Sequence, residues 1–153
     1  MSATDWLGGI GGVLGALGGP AGLYVYRLER RERSQRELKD ELLKLRDHAL
    51  KLRRIGSEAA DEYRDSAWWT ASGGQEARNG IKELRPYVAL KCPQLEAPLI
   101  DVYSGYDQAS AALFAPEASE GERRTVMARQ ARRADQLGES ANDLYVRIHD
   151  LTN

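Results

Sequence analysis

The sequence has 153 residues, enough for one modest domain, with 22 Lys/Arg against 23 Asp/Glu and a single cysteine, Cys92. One thiol excludes an internal disulfide and cannot build a metal site alone, and a slightly acidic balance without a basic patch interleaved with aromatics argues against a nucleic-acid partner. With one Phe, the core must come from Leu, Ala and a few Tyr and Trp, which points to an all-α fold.

The first element is an uncharged run of 21 residues from Trp6 to Tyr26. As a helix rising about 1.5 Å per residue, it is close to the ~30 Å of a bilayer's hydrocarbon. Trp6 at one end and Tyr24 and Tyr26 at the other suit the two membrane interfaces. Arg27, Arg30, Arg31, Arg33 and Arg36 follow at once, whereas the N-terminal flank offers only Asp5 and the α-amino group. The positive-inside rule therefore predicts a single-pass cell-membrane protein, N-terminus outside and C-terminal domain cytoplasmic, with Arg27, Arg30, Arg31 and Arg33 against anionic lipid. A cleaved signal peptide fits less well, because no Lys or Arg precedes Trp6 and the run ends in Tyr-Val-Tyr-Arg.

Glycines dominate this run. At about 100° per residue, Gly8, Gly11, Gly12, Gly15, Gly18, Gly19 and Gly22 fall within an arc of roughly 120°, and only Gly9 lies off it. Gly11, Gly15 and Gly19 form a double small-xxx-small repeat, the pattern by which membrane helices approach closely, so a homo-oligomer through this face is expected. The same glycines weaken insertion, since each costs a helix about 1 kcal/mol and adds little apolar surface. Pro20 adds a kink near the cytoplasmic end. The run is no nucleotide loop, for it lacks GxxxxGK[ST] and no strand precedes it.

From Arg27 to Ile55 eleven Lys/Arg face six Asp/Glu, a local net of +5, without Gly or Pro. This predicts a long helix carrying the seam Leu38, Leu42, Leu45, Ala49 and Leu52, which suits a bundle or a short coiled coil. Gly56-Ser57 reads as a break, followed by a helix from about Ser57 to Ala71 that ends at Gly73-Gly74. A third helix is expected over Gln75–Leu90 with Ile81, Leu84 and Val88 inward, and a fourth over Pro98–Ala115 with Leu99, Val102, Tyr103, Tyr106, Ala109 and Leu113 as its apolar stripe. The last should span Ser119–Leu151, packing Met127, Ala131, Ala134, Leu137, Ala141, Leu144, Tyr145, Ile148 and Leu151. The expected architecture is an N-terminal single transmembrane helix, then a long helix and an antiparallel bundle of about four helices. Its segments are an anchor at 1–26, a basic juxtamembrane helix at 27–55 and a helical cytosolic domain at 56–153.

No catalytic constellation emerges. His48 and His149 each adjoin an Asp but have no second His or Cys at ligand spacing, Cys92 has no nearby His, and no ExxH pair is present. No cofactor and no enzymatic activity are expected. The composition fits a membrane-anchored interaction or scaffold module with membrane lipid, a second copy and an unknown cytosolic protein as partners. The alternative is a membrane-perturbing, pore-forming effector whose glycine-zipper helix inserts and oligomerises on activation. In layout, though in no motif, this is similar to the small bundle proteins of cell-death effector systems.

Overall fold

The computed structural model describes the backbone of residues 3–153 and the side chains of residues 21–153. Among the described residues there are five α-helices and no strand: α1 (Ala3–Asp61), α2 (Ser66–Ala71), α3 (Gly74–Lys91), α4 (Glu96–Ser110) and α5 (Glu120–Thr152), with a 3-10 turn at Pro93–Leu95 between α3 and α4. The chain divides into two compact units, Met1–Glu37 and Leu38–Asn153.

The second unit is an up-down-up-down bundle of α1, α3, α4 and α5. Contacts between neighbours run in opposite directions along each pair, which fixes their sense. On α1 and α5, Arg53 hydrogen-bonds Asn142 while Gly56, further along α1, meets Gly138. On α1 and α3, His48 packs on Gly80 and Lys51 reaches Glu76. Arg78 meets Asp107 and Arg85 meets Glu96 across α3 and α4, and Gln108 meets Arg133 while Gly105 faces Leu137 across α4 and α5. Short connections between antiparallel helices produce this arrangement.

Leu42, Leu45, Ala49, Leu52, Ile55 and Ala59 bring α1's stripe into the core, with Leu38 packed at its edge. Ile81 and Val88 from α3, Leu99, Val102 and Tyr106 from α4, and Leu137, Leu144 and Ile148 from α5 close it. Each such aliphatic side chain contributes about 1.5–3 kcal/mol by leaving water.

Local chemistry sets the ends. Asp65 caps α2 by accepting a hydrogen bond from the Trp68 N–H at 2.8 Å. Gly73 enters α3 at φ 77°, in the left-handed region, and a side chain there would collide with the Lys51 ammonium. Ser119 and Glu122 form a reciprocal capping box at the start of α5.

Four expectations change. Helix α1 does not break at Gly56-Ser57 but continues to Asp61, because Gly56 serves a close helix crossing rather than a turn. The segment expected as one helix from Ser57 is split, and residues 62–65 form a loop before the short α2. Helix α4 stops at Ser110, since Ala112 turns its carbonyl to Gln130 and Phe114 stacks on Tyr63. Met127 and Leu151, expected inside, are exposed.

Candidate functional site

In the first unit, the described side chains of α1 begin at residue 21. Leu23 and Tyr24 are 63% and 65% exposed, and Val25, Tyr26 and Leu28 are exposed with them. At about 100° per residue these five encircle the helix rather than forming one stripe. Arg27, Arg30, Arg31 and Arg33 follow, all exposed. Among the described residues, Glu32–Arg36 at 3.8 Å is the ion pair of this stretch.

Among the described residues no helix is long and apolar enough to cross a membrane. Of the expected anchor, Trp6, Gly8, Gly11, Gly12, Gly15, Gly18 and Gly19 lie before residue 21, outside the residues whose side chains and surroundings are described. Gly22 lies inside them, with open space where a side chain would stand. Of the seam, Leu42, Leu45 and Leu52 are buried within the bundle.

A second feature lies among the interhelical loops of the bundle. The loop after α1 and the segment after α4 converge on Gln130 of α5, which is fully buried. Its Oε1 accepts the Arg64 N–H at 2.7 Å, while its Nε2 donates to the Arg64 carbonyl at 2.8 Å and the Ala112 carbonyl at 3.0 Å. The amide thereby satisfies three backbone groups that a loop would otherwise strand. Beside it opens a cleft of about 630 Å³ lined by Tyr63, Arg64, Trp68, Leu113, Phe114 and Pro116. The Tyr63 and Phe114 rings stack with centroids 4.5 Å apart, and the Arg64 guanidinium lies 4.8 Å from the Trp68 ring centroid.

Sequence reasoning missed this cleft. One signal was present: the three-and-four spacing of α5's stripe passes through position 130, where it meets a Gln between Met127 and Ala134. The partners of that Gln, 66 and 18 residues away, have no sequence signature.

Ionisable groups with displaced titration lie between α3 and α4. Arg78 donates to both Asp107 oxygens, at 2.9 and 2.7 Å, and this hydrogen bonding raises its pKa. Burial raises the Cys92 thiol and, aided by Asp107, the Tyr106 phenol. His48 packs its imidazole on Gly80, and the His149 ring stacks on Tyr145 with Asn153 in hydrogen-bond reach. Among the described residues no three His, Cys, Asp or Glu side chains converge as metal ligands would. No family model matches the chain, and neither a curated protein nor a solved structure matches it.

Proposed function

We propose that the protein is a non-enzymatic, membrane-tethered interaction module. The observation that carries this reading is the exposure of Leu23, Tyr24, Val25, Tyr26 and Leu28 around α1 over residues 23–28, joined by the exposed Arg27, Arg30, Arg31 and Arg33. Apolar surface on all sides of a helix costs free energy in water and is relieved in hydrocarbon, while the arginines suit anionic headgroups. The uncharged run from Trp6 to Tyr26 acts as the single-pass anchor, N-terminus outside, and the bundle stands in the cytoplasm to meet a protein partner. The glycine face from Gly8 to Gly22 supports a homo-oligomer.

Membrane fractionation with an alkaline wash tests the tether. The full chain is expected to resist the wash, and a chain lacking residues 1–26 to be soluble and helical. Recovery of the full chain in the wash overturns the tether.

The glycine content of the run favours a second reading, because a glycine-rich helix inserts weakly on its own. In that reading the helix inserts only on a trigger and assembles into a pore. Toxicity on overexpression that disappears with Gly15→Leu or Gly19→Leu supports the effector, and a harmless wild type counts against it.

A further inference from the structure

The arginines that join and follow the apolar residues of the first unit divide into two sets around α1. At about 100° per residue, Arg27, Arg30, Arg31 and Ser34 fall within an arc of roughly 100°. Glu29, Glu32, Arg33 and Arg36 fall on the opposite half of the helix. Leu23 lies in the first arc, one turn before Arg27, and Tyr24 lies at its edge.

Residues three and four apart decide which of these charges are already answered. Arg33 has Glu29 four residues before it and Glu37 four after. Arg36 has Glu32 four residues before it and pairs with it at 3.8 Å. Arg27, Arg30 and Arg31 have no Asp or Glu three or four residues away on either side. They have one another instead, Arg27 with Arg30 at i,i+3 and Arg27 with Arg31 at i,i+4. Like charges at these spacings repel and weaken a helix, a cost that a bound anion relieves. All three side chains are exposed, and the ion pair of this stretch involves none of them. The result is a one-sided cationic face, its three arginines within about 6 Å of helix length. The Ser34 hydroxyl stands on its C-terminal side and exposed apolar side chains on its N-terminal side.

We infer that this face binds a single phospholipid whose headgroup region carries two phosphates, the phosphates lying across Arg27, Arg30 and Arg31 and an acyl chain running along Leu23 and Tyr24. This assignment rests on the membrane-tethered reading and names the lipid that the stem selects. One phosphodiester leaves two of the three cations unanswered. Two phosphates in one molecule answer more of them, and the second arrives already linked to the first, at high effective concentration. Guanidinium forks meet phosphate oxygens in pairs. The apolar side chains continuous with the arc favour a lipid over a soluble phosphate or a nucleic acid, neither of which has a use for them. Arg33 and Arg36 add to the general attraction of an anionic surface without belonging to this face.

The test titrates the full-length protein, in neutral detergent micelles, with cardiolipin or with twice the molar amount of phosphatidylglycerol. The two then match in phosphate, charge and acyl chains, and differ in whether the phosphates are joined. Native mass spectrometry counts the lipid retained. Cardiolipin should bind about tenfold more tightly than phosphatidylglycerol. Changing Arg27, Arg30 and Arg31 together to Gln should bring the two lipids to equal affinity, and changing them to Lys should restore part of the preference. Changing Arg33 and Arg36 together to Gln should lower both affinities alike and leave their ratio unaltered. Gln and Lys match Arg closely in helix propensity and all these side chains are exposed, so the variants keep the fold, which circular dichroism checks.

Equal affinity of the wild type for the two lipids, a preference that survives loss of Arg27, Arg30 and Arg31, or one abolished by loss of Arg33 and Arg36 would each overturn the assignment. Displacement of bound cardiolipin by millimolar pyrophosphate or by duplex DNA would also overturn it, in favour of a soluble phosphate or a nucleic acid. The alkaline wash reads a different property. A washable protein that prefers cardiolipin through these arginines keeps the lipid face and loses the single-pass tether, while a wash-resistant protein without the preference does the reverse.

Discussion

Gly56 on α1 and Gly138 on α5 mark a helix crossing at which only one of the two residues must lack a side chain. A Cβ on Gly56 would stand 2.7 Å from the Ala134 carbonyl oxygen and 2.7 Å from the Gly138 nitrogen, both backbone atoms that cannot rotate away. A Cβ on Gly138 would find its nearest neighbour, the Ser57 nitrogen, at 3.7 Å, an ordinary contact. Gly56→Ala should therefore destabilise the bundle by about 2–3 kcal/mol, overpacking outweighing the helix propensity gained. Gly138→Ala should be neutral or stabilising by up to about 1 kcal/mol. Urea unfolding of the two variants checks the contrast.

Gln130 can be separated into its donor and acceptor roles. Gln130→Leu removes all three hydrogen bonds and strands buried backbone groups, at a cost of about 3 kcal/mol. Gln130→Glu keeps the acceptor for the Arg64 N–H but, when ionised, presents no donor to the Arg64 and Ala112 carbonyls. Its stability should rise as pH falls and the carboxyl gains a proton to donate. Unfolding midpoints of the Glu variant at neutral and mildly acidic pH measure that recovery.

Alkaline pH should weaken the bundle through Cys92 and Tyr106. Burial raises both above their ordinary values of 9.0 and 10.0, so the folded chain holds both protons while the unfolded chain releases them. Their contribution is complete below the unfolded values and is lost as pH climbs through them toward the raised folded values. Urea midpoints should fall between about pH 8 and pH 11, and Cys92→Ala should flatten the lower part of that decline.

The exposed arginines after the apolar run should set lipid preference. With Arg27, Arg30, Arg31 and Arg33 changed together to Gln, the full chain should lose most of its preference for anionic over zwitterionic vesicles. The expected loss is about 1 kcal/mol per arginine at low ionic strength. Vesicle co-sedimentation across a salt series reads this directly, and an unchanged preference would show that the arginines do not face headgroups.

Periodicity carried much of the bundle. Leu42, Leu45 and Leu52, Leu99, Val102 and Tyr106, and Leu137, Leu144 and Ile148 recur at helical spacing, and all are buried. Gly56 was legible as special but for the wrong reason: a sequence shows that a side chain is missing, not whether a turn or a neighbouring backbone requires it. Met127 keeps the spacing of α5 yet is exposed. The cleft was illegible because Arg64, Ala112 and Gln130 meet only after folding, and because backbone carbonyls carry no residue identity. Trp6 and the glycines through Gly19 remain a sequence-level expectation.

The amide of Arg64 sits in a loop, where backbone N–H groups ordinarily exchange with solvent deuterium through small local fluctuations. Here its proton is held by a fully buried side chain on the last helix. Its release requires α5 to separate from the loop. Its exchange rate should therefore track that of the central amides of α5, and a slow-exchanging loop amide would report how cooperatively the first and last helices of the bundle open.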